Sequence, residues 1–260
     1  MKEKIIEVSK DFWNIRGSFK IGGVVDIKTH AALVRLSNGN FVFLDSYSLG
    51  REARQRIDDI LGSDGEIEAI LNVHPFHTVH VSRMHELYPD ARLYGTARHR
   101  QRFSELPWEA ELTEDPQLHA LYSDDFAFSI PRGVDFISTN ENIHFSSVLV
   151  KHQASKTIFV DDTFMYFQLP RAMRLFGMRD ALSFHPTLSK ALEKRAGAAE
   201  DFRSWATELI EDWSDVENLC AAHTGALLAS DNKGASIPDR LQKALQKCEP
   251  KLRTHKRRHG

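Results

Sequence analysis

Glu68-Ala69-Ile70-Leu71-Asn72-Val73-His74-Pro75-Phe76-His77-Thr78-Val79-His80 is an apolar run that breaks into three closely spaced histidines. Its first half has the composition of a strand, and imidazole is the commonest metal ligand among side chains. A strand that ends in a polar loop is how a rigid scaffold presents reacting groups. His74, His77 and His80 are therefore the first candidates for chemistry. His77 and His80 are three residues apart on the first turn of the helix that should follow, which makes them an alternative pair on one face.

The surroundings of this run predict its context. Upstream, residues 24–27, 31–36 and 41–44 are β-rich, and Ser37-Asn38-Gly39-Asn40 signals a hairpin turn between the last two. Residues 51–61 place Ala53, Ile57, Ile60 and Leu61 on one helical face, with Ser48 as cap and Gly62 as stop. Downstream, Val81, Met84 and Tyr88 recur at helical spacing before Pro89, and residues 91–94 read as a strand. Residues 105–132 carry prolines and charges without a period, as a surface excursion does.

Beyond it, residues 134–137, 143–150 and 157–160 are predicted strands, the last two joined by a turn at 153–156. Residues 188–194, 201–213 and 237–247 are predicted helices, the last capped by Ser236, and a short strand at 217–221 runs into His223-Thr224-Gly225. Strands and then helices recur in two blocks. That order predicts an α/β fold of two sheets with helices outside them, a four-layer αββα sandwich formed by residues 1–260 as a single domain.

A chain of 260 residues with 42% hydrophobic content can bury a full core. Its formal charge of −2 provides no global field for nucleic acid, and no apolar run approaches the roughly 20 residues that span a bilayer. Residues 1–8 lack the apolar core of a secretion signal, and Cys220 and Cys248 are too few for a disulfide framework, so a reducing cytoplasm is expected. The basic stretch 251–260 reads as a frayed, solvated terminus. No glycine-rich phosphate loop, nucleophile elbow or Cys-x-x-Cys pair is present.

Metal-competent residues follow predicted strands at His74 and His77, at His144, at Asp162 and at His223. A hairpin turning at 153–156 brings His144 and Asp162 to one end. It leaves His152 at the other, roughly 25 Å from His144 at the rise of a strand. The residues at these strand ends, in this order, resemble the metallo-β-lactamase superfamily. Asp162-Thr163 is similar to its Gly-Asp-Thr turn, His223 to its late histidine, and Asp45, which ends Phe41-Val42-Phe43-Leu44-Asp45, to its early aspartate. Tyr88-Pro89-Asp90-Ala91 resembles the family's helix end. Residues 34–46 are also similar to an uncharacterised branch with a reduced metal motif. The resemblance covers residues 20–248 and implies one or two metal ions bound between two sheets.

Aligned on that helix end, the family's His-x-His-x-Asp-His signature puts His74 at its second histidine and His77 at its last. Asn72 then stands for the first histidine and Phe76 for the aspartate. In the superfamily's hydrolases that aspartate holds the second metal and handles the proton of the attacking water; phenylalanine does neither. The resemblance thus implies a reduced set, His74, His77, His144, Asp162 and His223, holding one zinc, iron or manganese ion rather than two, or none. Asp161 and Asp162 are the candidate catalytic carboxylates, with His223 as a further group to orient water.

Two functions follow as expectations. One is a metal-dependent hydrolase of an ester, thioester, amide or phosphoester, its ion held by His74, His144 and Asp162 or His77. The other is a non-catalytic descendant that binds a small molecule or partner in the old cleft, which Phe76 favours. A third option, nucleic-acid processing, rests on the basic tail 251–258 and on the resemblance to a superfamily that includes nucleases. The remaining features read as structural: His80, His85, His99, His119 and His185 as caps or solvated groups, Arg98, Arg100 and Arg102 as a solvated helix face, and Trp205, Leu209 and Trp213 as a core stripe.

Overall fold

The computed structural model describes residues 3–18, 20–21, 25–26, 28–168, 180–223, 225–232 and 234–260. The first strands are β1 (Lys4–Ser9), β2 (Phe12–Gly17), β3 (Lys20–Ile21), β4 (Val25–Asp26), β5 (Thr29–Arg35) and β6 (Phe41–Leu44). Then come α1 (Arg51–Leu61), β7 (Ile67–Leu71), α2 (Val81–Leu87), β8 (Arg92–Tyr94), α3 (Ala97–Arg102), α4 (Pro116–Leu121) and β9 (Phe126–Ser129). The chain continues with β10 (Leu149–His152), β11 (Thr157–Val160), β12 (Phe164–Phe167), β13 (Ala181–Phe184), α5 (Leu188–Ala191) and α6 (Ala198–Asp212). It ends with β14 (Asn218–Ala221), β15 (Gly225–Leu227) and α7 (Ile237–His259). One sheet has the order β1-β2-β5-β6-β7-β8, another β15-β14-β11-β10-β9.

The chain divides into two compact units, residues 1–128 with 152–155, and residues 129–151 with 156–260. In the first, Trp13, Ile15, Leu33, Phe43 and Ile70 from the sheet pack with Ala53 and Ile57 of α1 and Met84 of α2. The central strands β5 to β7 are buried on both faces, which is why they read as continuous apolar runs rather than alternating ones. In the second, Phe202 and Trp205 of α6 lie 5.2 and 6.4 Å, ring to ring, from Phe184 of β13. Trp205, Leu209 and Trp213 are buried as one stripe.

Several expectations are met: β6, α1 and β11 fall where the sequence places them, Gly62 ends α1 at φ +67° and Ser236 Oγ caps α7 by accepting from Asp239 N–H at 3.2 Å. Others need correction. Ser48 does not cap α1; its hydroxyl meets His80 Nδ1 at 2.9 Å, while Glu3 accepts the Gly50 N–H at 3.0 Å, placing a carboxylate at the helix's positive end. Residues 134–137 form no strand, only an isolated bridge from Val134 to Leu192, and residues 105–132 contain α4 and β9. The predicted strand at 143–150 shortens to β10, and the helix at 188–194 to α5. Of the strand predicted at 24–27, residues 24 and 27 lie outside the described residues.

The tail is the largest correction. Residues 251–259 continue α7, with Leu252 fully buried and His255 8% exposed. The stripe Leu241, Leu245, Cys248 and Leu252 carries the helix through Pro250, because buried apolar area offsets the missing N–H. Among the described residues, no helix is long and apolar enough to cross a membrane.

Candidate functional site

In each unit the candidate residues leave the same end of two adjacent parallel strands. β6 and β7 pair in parallel with Leu44 opposite Leu71, so Asp45 and the Asn72–His80 segment start side by side. β11 and β14 pair in parallel with Val160 opposite Ala221, so Asp161-Asp162 and His223 do likewise. Carboxyl ends of parallel strands are where α/β proteins gather their chemistry, because the loops diverge there and leave a crevice.

In the first unit, Asp45 sits at φ +59°, a conformation that aspartate tolerates better than most residues. This turn aims its carboxylate across the strand ends: Oδ1 accepts the Val73 N–H at 2.7 Å and Oδ2 lies 3.2 Å from His77 Nδ1. Burial would raise the Asp45 pKa, but the His77 hydrogen bond and charge, the Val73 N–H and the His74 charge together lower it. Asp45 is thus ionised and acceptor-only, so Nδ1 of His77 donates and Nε2 keeps its lone pair. A carboxylate behind a histidine fixes the tautomer of a metal-ligating imidazole in this way.

His74 is fully buried and stacks on His77 with ring centroids 4.1 Å apart. Its Nδ1 accepts the Phe76 N–H at 3.1 Å, which places the lone pair of the neutral ring on Nδ1. His80 is turned toward Ser48 and Tyr47, and burial and then the His77 charge lower its pKa.

Asn72 is buried and committed to structure: its Nδ2 donates to the Tyr94 carbonyl at 3.0 Å, and Oδ1 accepts from Ser46 Oγ at 2.6 Å. Phe76 lies edge-on to His74, with the Arg98 guanidinium 4.6 Å from its ring centre, a cation–π distance. Arg98 therefore differs from the solvated face expected of it. His99 caps α3 by accepting the Thr96 N–H at 3.2 Å, as a capping role predicts.

In the second unit, His223 Nε2 lies 3.0 Å from Asp162 Oδ1. Asp161, Asp162 and Thr163 form the turn after β11 and are all buried. Thr163 Oγ1 donates to the Phe145 carbonyl at 2.9 Å and lies 3.2 Å from Ser147 Oγ, tying the segment that carries His144 to this turn. His144 is half-buried in a loop, with Nε2 against the Glu141 carbonyl.

His185 belongs beside this group. Its backbone N–H donates to the Thr163 carbonyl at 3.2 Å and its Nδ1 meets Thr187 Oγ1 at 2.7 Å. Burial lowers its pKa; Asp162 opposes this, while His223 and His144 add to it, so all three lie within electrostatic reach. Nothing in the sequence separated His185 from a helix-start cap. His152 takes no part: its ring packs 6.0 Å from Phe12 and 5.7 Å from Phe126.

No protein-family profile matches the chain, and no curated protein is significantly similar to it in sequence. Solved structures are similar over nearly its whole length. A metallo-β-lactamase from Pontibacter korlensis aligns at a TM-score of 0.56 with 11% identity, covering 94% of this chain and 99% of its own. The DIM-1 metallo-β-lactamase aligns at 0.60 with 14% identity, covering 96% and 98%. FIM-1 from Pseudomonas aeruginosa, in its mono-zinc form, aligns at 0.59 with 9% identity, covering 95% and 96%. The chain therefore has the mixed α/β fold of the metallo-β-lactamases, β-sheets flanked by helices.

Proposed function

We propose that the protein is a metal-dependent hydrolase with a reduced, single-ion site, acting on an ester, thioester, amide or phosphoester. The observation that carries this reading is the Asp45–His77 pair, a carboxylate holding an imidazole in the tautomer a metal needs. His74, Nε2 of His77 and the Asp162 carboxylate are the donors we assign to the ion, with His144 as a further ligand; imidazoles and one carboxylate suit zinc, iron or manganese. The mono-zinc form of FIM-1 supports a single ion as compatible with the fold. A bound ion would supply a Lewis acid and a water with its pKa lowered toward about 7.

The protein's own residues supply the rest. Asp162 lies 3.0 Å from His223 Nε2, and His223 is the group we assign to take or return a proton. Asp161, 1% exposed, is the carboxylate assigned to orient the attacking water in place of the aspartate lost at residue 76. Hydrolysis across a panel of the four substrate types, abolished by chelator and by His77→Ala, is the expected result; full activity after metal stripping contradicts it.

One observation favours a second reading, ligand binding without turnover. The Phe76 ring under the Arg98 guanidinium gives the loop an apolar face and a cation, which suits retention of an anionic ligand better than activation of water.

A further inference from the structure

The half of α7 that was expected to fray lines a cavity of about 700 Å³ within the second unit, a volume typical of small-molecule sites. Lys190 of α5, Lys194 just after it, and Lys251 and Arg258 of α7 all line it. No carboxylate does. Two nearby acids are engaged elsewhere, Glu193 with Arg195 at 2.6 Å and Glu200 with Lys256 at 2.6 Å. Four cations from separate segments, unneutralised around one concavity, repel each other unless an anion joins them.

A second observation also points to a ligand. His255 lines the same cavity, is 8% exposed, and its Nε2 has no hydrogen-bond partner among the described residues. A buried polar atom without a partner is costly, and a phosphate oxygen in the cavity would accept a hydrogen bond from Nε2 when that nitrogen carries the proton. The His259 ring lies beside it, tilted by 35°, with ring centres 4.5 Å apart. Ile143, Leu192 and Pro250 give one wall an apolar surface.

We propose that this cavity binds a small molecule carrying two or more phosphate groups, its phosphates on Lys190, Lys194, Lys251, Arg258 and His255 and the rest of it on the apolar wall. Charge count selects the ligand: one phosphate would leave much of the cationic rim uncompensated. Concavity selects a small molecule over a nucleic-acid backbone, which needs an extended basic stripe.

The test is calorimetric titration of the full chain, treated with chelator and kept metal-free, with inorganic tripolyphosphate. Single-site, saturable binding that weakens as salt rises is expected. K251E/R258E and, on a separate segment, K190E/K194E should each weaken it by at least about tenfold, the scale of one charge-assisted contact. K243E/K247E, the same charge change at two exposed positions of α7, should leave it unchanged. Absence of saturable binding overturns the proposal, as does equal loss in all three variants. So does tight binding of single-stranded RNA that tripolyphosphate cannot displace. The metal-free readout is independent of hydrolysis, so failure here and failure of the hydrolase reading are distinguishable.

Discussion

Oδ2 of Asp45 lies 3.2 Å from His77 Nδ1, while Oδ1 of the same carboxylate accepts the Val73 N–H at 2.7 Å. One buried side chain thus fixes both the backbone entering the histidine loop and the tautomer of His77. Asp45→Asn keeps the shape and the left-handed conformation but loses the charge. Zinc affinity measured by competition with a chromophoric chelator should fall about 10- to 100-fold, the usual cost of removing such a partner. Asp45 is more acidic folded than unfolded, so its stabilisation is complete above the unfolded pKa of about 4 and is lost as pH falls through the folded value. The variant should therefore show a flatter acid limb in its unfolding midpoint.

His99 works in the opposite charge state. Burial first of all pushes its pKa down to about 4, against partial opposition from Asp45 and the His77 carbonyl. The unfolded ring protonates near pH 6.5, so its neutral, buried form contributes stability above that value. That contribution disappears as pH falls from about 6.5 to about 4, and is at most about 3 kcal/mol. Urea unfolding of chelator-treated protein at pH 7.5 and 4.5 measures it. The loss should shrink in His99→Asn; identical losses in both proteins contradict the assignment.

Asn72 joins Ser46 to the Tyr94 carbonyl in the interior. Asn72→Ala should cost about 1–3 kcal/mol, because it strands a buried hydroxyl and a carbonyl. Asn72→His, which restores the signature's first histidine, should destabilise the protein without raising its metal content. Thermal melts and elemental analysis of the two variants test both halves.

Leu252 lies in the stretch that charge alone marks as solvated, yet it is fully buried. Leu252→Ala should destabilise by about 2–5 kcal/mol, the range for a buried leucine. A change within about 0.5 kcal/mol, normal for a surface position, would mean the tail is not docked.

The contrast between residues 41–61 and 237–259 shows what the sequence could tell. β6 and α1 were legible because Gly39, at φ +94°, and Gly62 punctuate them and their apolar residues keep one period. α7 was cut short at residue 247 because Pro250 and the basic run are local signals, while the burial that overrides them comes from distant elements. β2 was missed for a similar reason: Asn14 looks like a break, but its Nδ2 donates to the Ala31 carbonyl at 3.2 Å across the sheet. At the candidate site, Asp162 and His223 were candidates from strand-end position and from the resemblance at Thr163, and the parallel register of β11 and β14 explains their contact. His185 was not, since its place beside Asp162 depends on the Thr163 carbonyl holding its backbone.

Metal content tests the central claim most directly. Protein purified without chelator and measured by inductively coupled plasma mass spectrometry should carry close to one zinc, iron or manganese ion per chain, and His77→Ala should remove it. Wild-type protein holding less than about a tenth of an equivalent, even after incubation with each metal, would contradict a single-ion hydrolase.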